Sequence, residues 1–550
     1  MERSLRIEHF RNIGFKNQPN KPTYERLVLN HSLHKGELGD LVILIGANNS
    51  GKSNILDALN IIANGNIAEH DITDLYMEDE YRNPKISLFC RRDEDKKDYL
   101  SCKKSLKNKI EFLLPSDNSE TIKTLKQYNL NHEISITPSF KGLNHILQKN
   151  FGTNFMSRII TYKQKSICNK DLISNHQDIQ KNSFLLSILK SINVNISTIH
   201  KSYEVFNKRN LIGILEQESD RINEKLVTIS NKFNQLYYTK DANYSFKISL
   251  HADKIYFSLF KGKNSLLLDS QSVGFKWFFD LFFNLLCSND IQAGDIIIMD
   301  EPATNLHIKG QRELRKFLKE FAVHNDVTIV MATHSPFLID LDFLDELRVI
   351  KNDDNITYIE NNFSAVNSTD SDSLLAVKEA LTIENHIIIN PNQKLVFVEG
   401  ITDYNYLTAF KHLLGKSEFT FLPINGVGDS NEESKRAVSK KLLSIRKDAI
   451  LLVDGDTAGK VMKKINENSD LTVITLSDMG KEFVGKEIEH VFSDDDLTAF
   501  RLVDKDGNFN KYASTSAVFK NKIIYGKQKV SDETLNNFKR LFDTLERALN

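Results

Sequence analysis

A glycine-rich loop near the N-terminus carries residue types that suit phosphate binding. Residues 46–53 read Gly-Ala-Asn-Asn-Ser-Gly-Lys-Ser, which matches the pattern GxxxxGK followed by Ser or Thr. The glycines let backbone N–H groups converge on phosphate oxygens, the lysine neutralises their charge, and the serine hydroxyl ligates Mg²⁺. We therefore predict that ATP with Mg²⁺ binds at Gly46, Asn49, Gly51, Lys52 and Ser53.

Two adjacent carboxylates follow an apolar stretch in the second half of the chain. The stretch Ile296–Met299 ends in Asp300 and Glu301. An aspartate in this position holds Mg²⁺ through its water shell, and the glutamate after it polarises the water that attacks the γ-phosphate. We predict these roles for Asp300 and Glu301, so the two motifs together indicate ATP hydrolysis.

A separate group of acidic residues lies further downstream. Glu399 and Asp403 come after one apolar stretch, and Asp454 and Asp456 come after the next but one. Carboxylates at the carboxyl ends of parallel strands point into a common crevice, and oxygen-only ligands suit Mg²⁺ or Mn²⁺. Such ions would activate water and stabilise the leaving oxygen in phosphodiester cleavage. Asp403 taken alone is equally well explained as the N-cap of a helix.

The apolar periodicity predicts the elements that position these residues. Asp40–Ile45 is typical of a buried strand, and a helix is expected from Ser53 to about Ile62. Further strands are predicted at Leu5–Phe10, Tyr244–Leu250, Lys254–Phe260, Ile296–Met299, Val327–Met331, Lys394–Val398, Phe419–Ile424, Ala449–Val453 and Leu471–Leu476. Helical stretches separate the last four, which indicates an α/β fold with a parallel sheet.

Changes in residue usage along the chain predict its division into parts. Between residues 90 and 243, lysine and asparagine become frequent and glycine nearly vanishes, and Ser183–Ile192 and Leu211–Phe233 have helical spacing of apolar residues. We expect five parts: an N-terminal ATPase part (1–89), a mainly helical insertion that dimerises (90–243), a C-terminal ATPase part (244–390), a second α/β domain (391–500) and a helical C-terminal segment (501–550).

The overall composition limits the class of protein. A chain of 550 residues is too long for one compact domain, and 72 Lys+Arg against 73 Asp+Glu leave a net charge that does not indicate nucleic-acid binding. The four cysteines form neither a zinc pattern nor a disulfide framework. The N-terminus lacks the apolar core of a signal peptide, and Trp277–Cys287 is too short to span a bilayer. We therefore expect a cytoplasmic protein with no membrane contact.

The order of the ATP-site motifs resembles a known family. As in the ABC-type ATPase heads of SMC, RecF and OLD (overcoming lysogenization defect) proteins, the chain carries a Walker A loop, a long insertion, Ser272-Val273-Gly274-Phe275, Asp300-Glu301-Pro302 and Thr333-His334-Ser335-Pro336. The resemblance implies that Ser272 and Gly274 contact the γ-phosphate held by the opposite subunit. It also implies that His334 is the switch histidine and that residues 303–307 form the D-loop. The signature departs from LSGGQ, and a single Walker A loop per chain implies a homodimer or higher oligomer.

The downstream acidic residues resemble a TOPRIM domain. Glu399-Gly400 stands after its first strand, Asn425-Gly426-Val427-Gly428 after the second and Asp454-Gly455-Asp456 after the third. Over the whole chain the resemblance is to the OLD family of nucleases, including Gabija-type and retron-associated members. It implies a Rossmann-like fold for this domain and a catalytic lysine, Lys520 or Lys522, of which we select Lys520. It also implies metal ligands at Glu399, Asp403, Asp454, Asp456 and, from the motif Glu487-Ile488-Glu489, at Glu489.

Three functions fit these patterns. The leading hypothesis is an ATP-regulated, metal-dependent DNA endonuclease that acts in anti-phage defence. The alternative is a RecF/SMC-like DNA-binding ATPase whose TOPRIM fold does not cleave. A third possibility is an effector held silent by a regulatory partner, either a protein or a nucleic acid, such as a retron reverse transcriptase with its DNA. A topoisomerase would need a tyrosine nucleophile in a dedicated breakage domain, and the sequence indicates none.

Overall fold

The computed structural model describes most of the ATP-site motifs and most of the C-terminal part. The described residues are 2–14, 24–30, 39–64, 67–71, 84–91, 99–105, 110–113, 158–162, 167–237, 243–286, 291–302, 306, 308–361, 394–424, 426, 432–445, 450–504, 506–511 and 513–549. The predicted D-loop, except Leu306, and Asn425, Val427 and Gly428 of the TOPRIM-like motif lie outside these ranges.

Strands and helices alternate through much of the described chain. The strands are β1 (Glu2–Glu8), β2 (Glu25–Val28), β3 (Asp40–Ile45), β4 (Lys85–Arg91), β5 (Tyr99–Ser105), β6 (Ile110–Leu113), β7 (Ile159–Tyr162), β8 (Ile173–Asn175), β9 (Tyr244–Leu250), β10 (Lys254–Lys261), β11 (Asn264–Leu266), β12 (Ile296–Asp300), β13 (Thr328–Ala332), β14 (Leu347–Asp353), β15 (Ile356–Glu360), β16 (Lys394–Val398), β17 (Phe419–Pro423), β18 (Ile450–Val453) and β19 (Thr472–Thr475). The helices are α1 (Lys52–Asn64), α2 (Ser183–Ser191), α3 (Ile196–Arg209), α4 (Gly213–Leu236), α5 (Val273–Leu281), α6 (Ile308–Asn325), α7 (Ile401–Leu414), α8 (Glu432–Ile445), α9 (Thr457–Ile465), α10 (Asp494–Ala499), α11 (Ala513–Ile524) and α12 (Asp532–Leu549).

A six-stranded sheet forms the centre of the N-terminal half. Its strand order is β15-β14-β3-β13-β12-β7, and only β15 runs antiparallel to its neighbour. Strand β3 is buried on both faces: Val42 and Leu44 belong to one hydrophobic core, and Leu41, Ile43 and Ile45 belong to the other. Burial on both faces explains why its sequence is an unbroken apolar run. The predicted strand Asp40–Ile45 is confirmed at the residue level.

Two antiparallel sheets accompany the central one. The first has the order β2-β1-β4-β5-β6, and in the second β10 pairs with β8, β9 and β11. In β9 and β10 every second residue is buried, as expected for strands with one face against the core. Helix α4 packs along β9 through side chains that include Ile222, Leu226 and Phe233.

The region from 90 to 243 is only partly helical, and our prediction for it needs correction. Helices α2, α3 and α4 are present, but β5 and β6 extend the N-terminal antiparallel sheet and β7 joins the central sheet beside β12. The sequence of β5 lacks the apolar alternation by which strands are recognised, although its backbone pairs with β4 and β6.

The C-terminal half contains a separate four-stranded parallel sheet. Its order is β17-β16-β18-β19, so the first strand in the chain lies inside the sheet and the connection to β18 crosses over β16. Helix α7 packs against β17, while α11 and α12 return from the C-terminus to pack on α7. We call residues 394–549 of the described ranges the C-terminal unit. Among the helices of the described residues, none is both long and apolar enough to cross a membrane.

Candidate functional site

The glycine-rich loop joins β3 to α1, as the sequence predicted. Gly51 has φ +105°, and a Cβ atom there would lie 2.4 Å from the hydroxyl oxygen of Thr357. Glycine is therefore required both by the backbone conformation and by the close approach of β15. Thr357 Oγ1 donates a hydrogen bond to the carbonyl of Ser50 at 2.7 Å and accepts one from Asn12 at 2.8 Å. The loop is thus held in place by β15, a strand that follows it by about three hundred residues in the chain.

Lys52, Ser53 and Asp300 meet at the carboxyl edge of the central sheet. Lys52 Nζ donates to the carbonyls of Gly46 and Ala47 at 2.9 and 2.8 Å, so its ammonium lies over the loop. Ser53 Oγ donates to Asp300 Oδ2 at 3.0 Å. Burial lowers the pKa of Lys52 below its ordinary value, while the nearby carboxylates oppose that shift. The structure therefore brings together the two motifs that the sequence assigned to phosphate and Mg²⁺.

Glu301 and His334 form the other side of this edge. Glu301 is a non-glycine residue with φ +46°, an uncommon conformation that turns its side chain away from the strand direction. Its carboxylate lies 3.7 Å from His334 Nε2 and accepts a long hydrogen bond of 3.4 Å from the His334 backbone N–H. Both side chains are partly exposed, which is the arrangement needed for groups that act on a bound nucleotide.

Ser272 and Gly274 lie at the exposed start of α5. Ser272 is the N-cap of this helix, and its Oγ accepts a hydrogen bond from the Phe275 N–H at 3.2 Å. No atom would lie within 4 Å of a Cβ at Gly274, so its backbone is open to an incoming group. Both residues border a cavity of about 520 Å³ that is also lined by Trp277 and Lys309. Asn49 of the glycine-rich loop is exposed as well.

Four acidic side chains converge at the carboxyl edge of the C-terminal sheet: Glu399 after β16, Asp403 in the first turn of α7, Asp454 after β18, and Glu489 in the short turn Ile488–Val491. We call them the four-carboxylate cluster. The Asp454 N–H donates to Glu399 Oε1 at 3.3 Å, and Asp403 Oδ2 accepts from the Gly400 N–H at 2.7 Å. Glu399, Asp403 and Asp454 line a space of about 10 Å³, roughly what one water molecule needs.

The electrostatics of the cluster are unfavourable in the absence of a cation. Burial, followed by the negative charges of Glu399 and Glu489, raises the pKa of Asp454 to about 8. Burial also raises the pKa of Asp403 well above its ordinary value, with Asp454 as the next cause. The pKa values of Glu399 and Glu489 are raised as well, again mainly by burial. Several acids that resist ionisation in one small space are a feature of functional sites.

Asp456, the fifth predicted ligand, lies at the margin of the cluster. Its exposed side chain is the N-cap of α9 and accepts a hydrogen bond from the Gly459 N–H at 2.8 Å. In the described part of the chain, no group of three or more His, Cys, Asp or Glu side chains has the arrangement that could hold a metal ion. The structure therefore brings acidic oxygens together without arranging them as a coordination shell.

Lys520, our candidate for the catalytic lysine, has a different environment. It is completely buried; its Nζ donates to the Asp342 carbonyl at 2.9 Å and forms an ion pair with the Asp345 carboxylate. Its ammonium also lies about 5 Å above the rings of Phe343 and Tyr404. The ammonium is bound by the segment between β13 and β14, and the catalytic role of Lys520 stays a prediction. Lys522 donates to Gln528 at 3.0 Å.

Two other lysines act on the cluster, and sequence reasoning missed both. Lys435 of α8 is 1% exposed, its Nζ has no hydrogen-bond partner among the described residues, and its charge lowers the pKa of Glu399. Lys511 pairs with Glu487 at 2.8 Å, and it also lowers the pKa values of Glu399 and Glu489. No sequence motif marks either lysine. Lys435 lies in a helix with polar and apolar faces, and Lys511 lies in a loop.

Comparison with known proteins places the ATP site in a family. Residues 30–339 match the AAA ATPase domain family, a range that includes the glycine-rich loop, Asp300, Glu301 and His334. The match ends before the C-terminal unit. No match was found among curated proteins.

The chain is also similar to three solved heads of SMC proteins, each at 13% sequence identity and over 65% of this chain. One is an Smc head bound to the C-terminal winged-helix domain of ScpA, 96% of which is covered with a TM-score of 0.36. The second, derived from Pyrococcus furiosus, is an Smc head with an extended coiled coil bound to the C-terminal domain of ScpA (95%, TM-score 0.36). The third is the SMC head domain from Thermotoga maritima (97%, TM-score 0.32).

Proposed function

The chain belongs to the AAA ATPase domain family over residues 30–339, and from this premise we propose an ATP-hydrolysing protein whose C-terminal unit is a metal-dependent DNA endonuclease. ATP binds over the glycine-rich loop, with Lys52 on its β- and γ-phosphates and Ser53 and Asp300 on the Mg²⁺ side. Glu301 orients the attacking water. His334, whose Nε2 lies 3.7 Å from the Glu301 carboxylate, senses the γ-phosphate.

The ATP site is proposed to be of the ABC type and therefore shared between two copies of the chain. Ser272 and Gly274 stand at an exposed helix start with open space around the glycine, as a surface for a second copy's γ-phosphate requires. A homodimer then contains two such composite sites. ATP binding closes them and hydrolysis separates them, so the nucleotide controls the spacing of the two C-terminal units.

The observation that carries the nuclease proposal is the four-carboxylate cluster. Its raised pKa values mean that the folded chain holds acids that disfavour their charged form. Carboxylate oxygens suit Mg²⁺ or Mn²⁺, and Glu399, Asp403, Asp454 and Glu489 would hold such an ion after their side chains move from the present arrangement into a coordination shell. When bound, the cation supplies an activated water and stabilises the leaving oxygen of a phosphodiester.

The residues of this chain have distinct tasks around the cluster. The Asp454 backbone N–H donates to the Glu399 side chain at 3.3 Å, which links the ends of two strands that are already paired. Asp456, exposed beside them, completes the acidic edge from the solvent side. The exposed Lys511 supplies positive charge for a DNA phosphate next to the carboxylates, and the buried Lys435 favours the charged form of Glu399.

The resemblance to the OLD family supports a setting for this activity. We propose that the nuclease acts in anti-phage defence and that a regulatory protein or nucleic acid, such as a retron reverse transcriptase with its DNA, holds it silent. The observation that no group of described residues is arranged to hold a metal favours the second candidate, a RecF/SMC-like DNA-binding ATPase that does not cleave.

Cleavage of supercoiled plasmid in Mg²⁺ or Mn²⁺ tests the proposal. The wild type is compared with Asp454→Asn, with Lys52→Ala and with Asp470→Asn, which changes an exposed aspartate of the same unit. The nuclease proposal expects metal-dependent cutting that Asp454→Asn abolishes and Asp470→Asn retains, and Lys52→Ala gives the sign of control by ATP. ATP hydrolysis without cutting by any form, with or without nucleotide, would support the non-cleaving ATPase instead.

A further inference from the structure

A short buried segment, Leu341–Glu346, separates the ATP site from the C-terminal unit. It comes after β13 and His334 and leads directly into β14, which pairs with β3, so its C-terminal end is fixed in the central sheet. Two 3₁₀ turns meet within it at Phe343, whose φ of −132° interrupts the helical geometry. We call it the interdomain segment. In the chain it therefore lies between His334 of the ATP site and β14, the strand paired with β3.

Buried ion pairs join the interdomain segment to the nucleotide-binding strand. Lys319 of α6 lies 3.0 Å from Asp40 and 3.0 Å from Glu346, and Arg315 lies 2.6 Å from Glu346. Asp40 is the first residue of β3, which runs straight into the glycine-rich loop. Burial disfavours the charged form of Lys319, but Asp40 and Glu346 outweigh it and raise the pKa, so the ammonium stays charged. Lys319 therefore links the first residue of β3 to Glu346.

On its other side the interdomain segment is held by the C-terminal unit. Lys520 of α11 donates to the Asp342 carbonyl and pairs with Asp345, while Lys411 and His412 of α7 lie 2.6 and 2.8 Å from the Asp342 carboxylate. Burial opposes ionisation of Asp342, but the hydrogen bonds from His412 and Lys411 prevail and lower its pKa to about 2. Side chains of two helices of the C-terminal unit, α7 and α11, therefore bind the interdomain segment.

Tyr404 connects the interdomain segment to the four-carboxylate cluster. Its hydroxyl donates to the Leu341 carbonyl at 2.8 Å and accepts from the Leu344 N–H at 2.9 Å, so both turns of the interdomain segment are bound by one side chain. Tyr404 is fully buried and follows Asp403 directly in the first turn of α7. The position of the segment therefore sets the position of that turn, and with it the Asp403 carboxylate.

We propose that Tyr404 and Lys520 are positioning residues through which the nucleotide state of the ATP site adjusts Asp403 in the four-carboxylate cluster. The path runs from β3 through Lys319 and Glu346 into the interdomain segment, and from there through Tyr404 to Asp403. The inference rests on the proposed function, because it names the regulation of the same acidic site. Coupling of this kind is reciprocal, so a cation at the cluster changes nucleotide affinity by the same factor.

Hydrogen–deuterium exchange of the full chain tests the path, with and without Mg²⁺ and a non-hydrolysable ATP analogue. Tyr404→Phe removes one hydroxyl and leaves the ring in place. Its matched control is Tyr203→Phe in α3. This change removes the hydroxyl of a buried tyrosine that donates to the His251 carbonyl at 2.8 Å. We expect nucleotide to change exchange in residues 401–407 of the wild type and of Tyr203→Phe. In Tyr404→Phe that change should fall by about fivefold or more, the lower end of typical allosteric coupling.

The outcomes separate this inference from the proposed function. Nucleotide binding that leaves residues 401–407 unchanged in the wild type, or a change that persists in Tyr404→Phe, overturns the coupling even if the protein cuts DNA. Failure to cut DNA with an intact exchange response overturns the nuclease and leaves the coupling standing. If Tyr404→Phe does not fold, Asp342→Asn loosens the same contact at its more exposed edge and is expected to reduce the response in the same direction.

Discussion

Replacing Asp454 with asparagine should stabilise the cation-free protein and flatten the dependence of its melting temperature on pH. In the folded chain, burial and then the charges of Glu399 and Glu489 raise the pKa of this carboxyl from 3.8 to about 8. Between these values the folded state binds a proton that the unfolded state has released. Stability from Asp454 is therefore complete below about pH 4 and is lost as pH rises through about 8.

The size of the effect follows from the shift. About four pKa units at 1.36 kcal/mol each set a ceiling on the order of 5 kcal/mol for the cost of ionising Asp454 in the fold. Because Asp403 shares the same repulsion and takes up protons in response, a single substitution recovers only part of it. We expect a gain of about 2 kcal/mol near pH 8, or roughly 5 °C in melting temperature for a unit of this size.

Scanning calorimetry from about pH 6 to about pH 9 in a chelator measures both the gain and the slope. The control is Asp456→Asn, because that side chain is exposed and asparagine caps a helix as well as aspartate does. We expect the wild type and Asp456→Asn to lose stability with rising pH and Asp454→Asn to lose distinctly less. An equal dependence of melting temperature on pH in all three proteins would refute the reasoning that repulsion and burial in the cluster destabilise the fold when Asp454 ionises.

Three further outcomes follow from the two sites. Glu301→Gln should leave binding of a fluorescent ATP analogue intact and lower phosphate release about 100-fold or more, since it removes the group that polarises water. Thr357→Val removes the hydrogen bond to the Ser50 carbonyl, worth about 1 kcal/mol, and should weaken nucleotide binding about fivefold in a titration. Lys435→Met removes a buried ammonium that favours the charged form of Glu399, so plasmid cleavage should fall about tenfold or more and Mn²⁺ binding measured by calorimetry should shift to higher pH.

The ATP site was predictable because its chemistry fixes local sequence. A phosphate loop needs glycine at Gly51 and a lysine next to it, and the buried strand before it must be apolar on both faces. These constraints lie within a dozen neighbouring residues. Thr357, which braces the same loop, was not predictable, because its contact with Ser50 depends on how β15 is placed by the sheet.

The acidic site was predictable in part. Glu399 and Asp454 follow apolar runs, and their meeting is a consequence of parallel strand order that the sequence pattern indicates. The role of Lys520 was not predictable, because a lysine in a C-terminal helix looks the same in sequence whether it reaches substrate or pairs with Asp345. Strand β5 was missed for a similar reason, since its lysines carry no apolar alternation.

A contrast between two groups of buried acids bears on what the four-carboxylate cluster is for. In the interdomain segment each acid meets basic side chains at close range: Asp342 meets Lys411 and His412, and Glu346 meets Arg315 and Lys319 at 2.6 and 3.0 Å. In the cluster, Lys435 and Lys511 act on the carboxylates without forming an ion pair with any of the four among the described residues, and the pKa values of all four are raised. The pKa of Glu346 is raised by burial too, but its two basic partners oppose that shift. Close basic partners thus distinguish the acids of the interdomain segment from those of the cluster, and the missing positive charge in the cluster supports our proposal that a cation from solution binds there.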